Sequence, residues 1–241
     1  LALPAHVHVC ADGDHVVFLD LKSDRYWALP AVSTRGFSAQ VKRWSVRRAD
    51  DDDAPSADAA TLETLCARGL LCDEASGLCD EASVASSDGG EVAGAPTPRR
   101  DLTMTRSAAP RSTRLASFVY AATVAALTLK ARGLQHAVAR TSQRRLARSR
   151  ASSVPRNDFD SAAELVASFE RLRPLLFSAR DACLFHSFAL IEFLAQHDCY
   201  PHLLLGVRAR PFAAHCWVQL DDTVLNDAVE HVSRYTPIMV A

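Results

Sequence analysis

No glycine-rich phosphate loop runs through this chain, which removes the usual backbone cradle for ATP. No membrane span is legible either: Leu115 to Leu129 lacks charge but covers 15 residues, against the ~20 a span needs. The seven cysteines are odd in number and follow no disulfide-framework spacing. Cys66, Cys72 and Cys79 have no histidine nearby, and the Cys199-x-x-His202 pair has no second pair. Structural zinc wants four ligands in paired spacing, so no metal is expected, and no cofactor. With no secretory signal at the start, a reducing cytoplasm is the expected setting.

An excess of basic charge is also missing where nucleic acid would need it. The net charge of −1 conceals three blocks: −8 over residues 1–98, +12 over 99–156 and −5 over 157–241. Phosphate binding needs clustered Lys and Arg, so the acidic first block argues against a DNA regulator and no nucleic-acid partner is expected. The compositional breaks predict modules.

What is present reads as an α+β chain. Val7 and Val9 alternate with polar residues, Val16 to Leu21 is an apolar strand, and Ala11-Asp12-Gly13-Asp14 is the turn between them. Asp24 to Leu29 is a third strand, ended by Pro30. Ser33 to Val46 reads as a helix, and Asp58 to Gly69 as another with Leu62, Leu65, Cys66 and Leu70 as its stripe. The acidic run Asp50 to Asp53, with Pro55, reads as a solvated loop. Residues 75–112 are rich in Ala, Ser, Gly and Pro and are expected to be a flexible linker between a first domain, 1–74, and a second, 113–241. Leu115 to Leu146 is a long helical candidate, and Phe159 to Phe177 a further helix. The cluster Arg140, Arg144, Arg145, Arg148 and Arg150 has three open readings: a solvated helix end, an anionic membrane surface, or an acidic partner. Membrane association is thus possible but not the favoured reading.

The chemistry sits in the last third. Asp181 can cap a helix that opens at Cys183, where free N–H groups and the helix dipole lower a thiol pKa. His202 to Val207 and Ala214 to Leu220 read as strands, the second carrying His215, and Thr223 to Asp227 as a third. Cysteine, histidine and aspartate in this order match nucleophile, base and orienter of papain-like or transglutaminase-like folds. A tight two-residue turn at Asp221-Asp222 would pair Cys216 with Asp227 and turn His215 away from it. A bulged turn is therefore expected, pairing His215 with Asp227. His186 reads as a half-exposed rim residue, Cys216 as buried packing, and His202 and His231 as structural.

Cys183-Leu184, Ser187, Ala189-Leu190, Gly206-Val207-Arg208, Pro211-Phe212, His215, Trp217-Val218 and Asn226-Asp227 resemble the C-terminal half of the lasso-peptide B protein family. Cys216 stands where that family usually has Ala, and Asp221-Asp222 where it often has Asp-Gly. The resemblance implies a transglutaminase-like cysteine protease with the triad Cys183, His215 and Asp227. Three strands followed by helices, with Asp20-Leu21, Arg25 to Pro30 and Leu70-Leu71, likewise resemble the winged-helix-like domains that recognise leaders of ribosomal peptides. That resemblance implies leader contacts at Arg25, Tyr26, Trp27, Leu62, Leu65 and Cys66. It also implies two partners: a lasso-peptide precursor and an ATP-dependent, asparagine-synthetase-like lasso cyclase. Acyl transfer between peptides on the same triad, and a non-catalytic scaffold delivering precursor, stand as alternatives.

Overall fold

Alternation and turn chemistry set the first sheet. Strands β1 (Val7–Asp12), β2 (His15–Asp20) and β3 (Arg25–Pro30) form an antiparallel meander in that order, leaving β3 at an edge. Gly13, at φ 55°, makes the first turn. Asp20 closes the second, its carboxylate accepting from Lys22 N at 2.9 Å and Ser23 Oγ at 2.6 Å, before Asp24 turns left-handed at φ 53°. The register pairs Val9 with Phe18 and Phe18 with Trp27, so one face is a continuous apolar row. That face packs on Phe37, Val41, Leu65, Leu70 and Leu71.

The computed structural model describes residues 1–46, 57–73, 97–102, 114–151, 159–175 and 183–241. The acidic run Asp50 to Asp53, Pro55 and the cap Asp181 lie outside them. Two units emerge. One is Leu1–Gly94 with Val207–Ala213 and Thr236–Met239; the other is Ala95–Gly206 with Ala214–Tyr235 and Val240–Ala241.

In the first unit, the helix expected over Ser33 to Val46 is reduced to a 3-10 turn at Ala31–Thr34 and one α-turn, α1 (Phe37–Gln40). Gly36 at φ 76° and Arg43 at φ 63° break the helical path on either side. The helix α2 (Ala59–Ala67) forms as expected. Asp58 caps it, accepting from Thr61 N at 3.1 Å, and Gly69 at φ 73° ends it with Leu70 N bonded to Leu65 O at 2.9 Å. Cys72 is disulfide-bonded, a link the cysteine spacing does not announce. Asp12 accepts from Ala209 N at 2.7 Å and from Thr236 Oγ1 at 2.6 Å, which holds both outlying segments of this unit to the first hairpin.

The second unit is helices on a sheet. Helix α3 (Leu115–Ala151) is the long basic helix, interrupted at Gly133, whose φ of 77° and ψ of 177° no helix accommodates. It packs along α5 (Cys183–Ala195), with α4 (Phe159–Leu172) against both. Phe169 of α4 meets Phe118 edge-on at 5.2 Å and Phe193 at a tilt at 5.5 Å, joining the three helices. Arg144 and Arg140 bond Glu192 of α5 at 2.8 and 3.4 Å, and Arg145 lies 2.6 Å from His202 Nδ1. Three of the five clustered arginines thus meet partners on their own chain.

The five-stranded sheet runs β4 (Arg100–Asp101), β7 (Thr223–Val224), β6 (Ala213–Leu220), β5 (His202–Arg208), β8 (Thr236–Val240). Strand β8 and the single turn α6 (Val229–Val232) have no clear sequence signal. Strand β4 falls inside the expected linker, which is therefore not linker throughout. It pairs in parallel with β7, and Arg100 bonds Asp222 at 2.8 Å. Among the described residues, no helix is long and apolar enough to cross a membrane.

Candidate active site

Three local features bring one site together. Helix α5 opens at Cys183 and buries Phe188, Leu190, Ile191 and Leu194, which fixes the direction of its first turn. Strand β6 carries His215 on the face shared with Trp217, whose ring stacks at 6.1 Å and an interplanar angle of 17°. Trp217 reaches that position because residue 206 is glycine: a Cβ there would lie 2.7 Å from the indole.

The third feature overturns the expected bulge. Leu220 pairs with Thr223 and Gln219 with Val224, a regular two-residue hairpin with Asp221 left-handed at φ 49°. His215 nonetheless meets Asp227, Nε2 to Oδ2 at 2.5 Å. Side alternation constrains residues only while the ladder continues, and this ladder stops early. Leu225 N still bonds Val218 O at 2.9 Å, but Val218 N is taken by the Asn226 side chain, Oδ1 at 2.8 Å. The chain bends away there, so Asp227 is not on a strand and is free to turn back to His215.

His215 bonds Asp227 through Nε2 and interacts with Cys183. Burial works against the imidazolium, but the bonds to Asp227 and Cys183 prevail and raise the His215 pKa to about 9. Burial pushes the Cys183 thiol up. The bond to His215, its charge, and the backbone N–H groups of Cys216 and Leu184 outweigh that and hold it below the ordinary value. Asp227 is lowered to about 2: burial opposes this, and bonds from His215, His231 and Ala228 N overcome it. A thiol of lowered pKa, an imidazole of raised pKa and a carboxylate in a row are equipped for nucleophilic attack and proton transfer.

A second network runs beside the first. Ser187, fully buried one turn after Cys183, donates to Cys216 O at 3.0 Å. Asn226, one residue before Asp227, donates to Ser187 Oγ at 2.9 Å. Helix, strand and bend are joined by these bonds next to the residues they present.

His231, which sequence reasoning leaves as structural, is on Asp227, with Nδ1 2.9 Å from Oδ2 and 3.1 Å from Oδ1. The spacing of four between Asp227 and His231 was the available signal, readable only once a helix is known to start there. Among the described residues, His215, Asp227 and His231 form a cluster of potential metal-ligand atoms. Their bonded separations of 2.5–3.1 Å suit hydrogen bonds better than the ~3.3 Å edges of a zinc tetrahedron with ~2.0 Å arms.

His186, His202 and the Cys216 side chain have other surroundings. His186 turns to Glu170 at 2.9 Å and stacks on Phe169. His202 is pushed down to about 4 by burial and by Arg145, leaving a neutral ring. Cys216 is buried, and burial drives its thiol well up.

The expected leader contacts divide. Trp27 lies on the core face with Arg68 over its ring at 4.4 Å, beside half-buried Leu62 and Cys66. Arg25 is exposed on β3. Tyr26 points to the opposite face and meets Phe212 at 5.6 Å. Leu65 is 2% exposed and belongs to the core rather than to a surface.

Residues 122–240, just under half of the chain, match the model of the transglutaminase-like superfamily. The C-terminal region thus resembles a transglutaminase-like domain, and the fold is mixed α+β. A segment of 46 residues is 44% identical to the microcin J25-processing protein McjB of Escherichia coli, covering 19% of this chain and 22% of that relative. The two findings support the resemblance to the lasso-peptide B proteins. No solved structure matches the chain.

Proposed function

We propose that this chain is the leader peptidase of a lasso-peptide pathway, with a recognition domain at 1–74, a cysteine peptidase domain at 113–241 that strand β4 joins, and linker over the rest of 75–112. The observation that carries the reading is His215 bonded to Asp227 at 2.5 Å while it also interacts with Cys183 at the start of α5. The similarity of a 46-residue segment to a microcin-processing protein supports a peptide precursor as substrate.

The Cys183 thiolate attacks the carbonyl carbon between leader and core. The oxyanion forms against the backbone N–H of Cys183; Trp217 Nε1 is engaged by Gln219 at 3.2 Å and is not the second donor. The C–N bond breaks as the His215 imidazolium gives its proton to the departing core amine, leaving the leader as a thioester on Cys183. Neutral His215 then takes a proton from water, hydroxide attacks the thioester, and C–S cleavage releases the leader carboxylate and restores the thiolate. Asp227 keeps the imidazole oriented throughout. The freed core amine is the nucleophile a partner ATP-dependent, asparagine-synthetase-like cyclase needs.

The leader adds as a strand to the β3 edge beside α2, touching Arg25, Tyr26, Trp27, Leu62 and Cys66, with Leu65 as support beneath. Binding there raises the local concentration of the scissile bond. The setting is cytoplasmic.

The test is precursor incubated with wild-type and C183A protein. Mass spectrometry should find leader acid and free core with wild type, and bound but uncut precursor with C183A. Cleavage by C183A would sink the mechanism, and a cross-linked product from wild type would make the chain an acyl transferase.

A further inference from the structure

We propose that His231 is a positioning residue for Asp227, fixing the carboxylate that orients His215. This rests on the peptidase reading above but is carried by geometry of its own. Four bonds converge on the two carboxylate oxygens. Oδ2 takes His215 Nε2 at 2.5 Å and His231 Nδ1 at 2.9 Å, while Oδ1 takes Ala228 N at 2.7 Å and His231 Nδ1 at 3.1 Å. Without His231 the carboxylate, on a bend and off any strand, would keep one bond on each oxygen, from His215 and from the backbone of Ala228. A side-chain donor spanning both oxygens adds the contact that ties the two together.

The imidazole of His231 is itself held. It begins on α6 four residues after Asp227, its ring stands edge-on to Tyr235 at 5.5 Å, and it lies 4.7 Å from the His215 ring. Tyr235 in turn lies 5.1 Å from His215, so the two histidines and the tyrosine form one aromatic cluster around the carboxylate. The geometry places a proton on His231 Nδ1, since Asp227 only accepts. It assigns the His215 proton on that side to Nε2. His231 therefore acts on the reaction through Asp227 and touches no reacting atom.

The amide nitrogen of asparagine can occupy the place of a histidine Nδ1 and donate to the same oxygens; alanine offers nothing there. The experiment compares wild type, H231A and H231N in kcat and KM for precursor cleavage. It also follows the downfield proton resonance of the His215 ring N–H bonded to Asp227. Losing a hydrogen bond to a charged group should lower kcat about tenfold in H231A, with KM within about twofold, and the resonance should be lost to exchange. H231N should recover both. Unchanged kcat and resonance in H231A, or H231N as impaired as H231A, would overturn the proposal. If H231A fails to fold, H231N decides alone: near-wild-type kcat and resonance support it, and loss of both overturns it. If wild type does not cleave precursor, the peptidase reading falls. A resonance lost in H231A and kept in H231N would still uphold the positioning role, and one unchanged across all three would end it.

Discussion

Asn226 donates its side-chain N–H to Ser187 Oγ at 2.9 Å, one residue before Asp227 and one helical turn after Cys183. The bond ties the bend that carries the acid to the helix that carries the thiol, and Ser187 passes it to the carbonyl next to His215. Ser187→Ala leaves the Asn226 amide and the Cys216 carbonyl buried without this link. Stability should fall by about 1–3 kcal/mol. Because small misplacements are costly in a positioned reaction, kcat should fall by more than tenfold, roughly, with little change in leader binding. Denaturant melts, leader-peptide titration and cleavage kinetics check the three parts separately.

The charge state of His215 sets a pH window. Its folded pKa of about 9 lies above the ordinary 6.5. The stabilisation from the imidazolium is complete below about 6.5 and is lost as pH rises through about 9. Cleavage needs that imidazolium to protonate the departing amine, so kcat should decline through the same upper limit. An NMR titration of His215 should show the raised pKa in wild type and a lower one in C183A, where the thiolate's bond and charge are gone. Equal pKa values in the two proteins would contradict the thiolate–imidazolium pair.

Gly206 is required for space. A methyl group there meets the Trp217 ring at 2.7 Å and Tyr235 Cβ at 3.0 Å. G206A should cost about 1–3 kcal/mol by overpacking. It should also displace Trp217, and with it the ring that stacks on His215, so near-ultraviolet circular dichroism and kcat should change together. A Trp217→Phe change in the same background should restore part of the stability by shrinking the clashing ring.

Glu192 is 7% exposed and faces two arginines. Removing both, by R140A with R144A, leaves a buried carboxylate without its counter-charges and should destabilise the chain by about 3–5 kcal/mol. Glu192→Gln should cost less, because the arginines are about one-third exposed and regain water. Thermal melts at matched pH distinguish the two. A larger loss in E192Q would mean the arginines depend on the glutamate rather than the reverse.

Much of this was legible from local patterns. The alternation in Val7 to Val9 and Val16 to Leu21, the helix from Asp58 and the apolar helix after Cys183 all became the expected elements, since each is set by nearby residues. What failed depended on distant partners or on backbone torsions. The helix over Ser33 to Val46 dissolved at Gly36 and Arg43, whose positive φ values apolar periodicity does not reveal. The bulge at Asp221 followed correctly from strand alternation but assumed a ladder reaching Asp227, and Asn226 ends it by substituting a side chain for the backbone. His231 was invisible because its meaning lies in a bend and a single helical turn that only the folded chain displays. Tyr26 and Trp27, adjacent in sequence, were grouped as contacts although the pleat sends them to opposite faces.

Strand β4 has a practical corollary. Asp101 accepts from Val229 N at 3.0 Å, at the first residue of the turn that bears His231, and Arg100 holds Asp222 in the hairpin before it. A C-terminal fragment cut at the compositional boundary near residue 113 would keep Cys183, His215 and Asp227 yet lose the acceptor for that turn's first N–H. Truncations on either side of Arg99 should therefore separate thiol reactivity that survives excision from reactivity that does not.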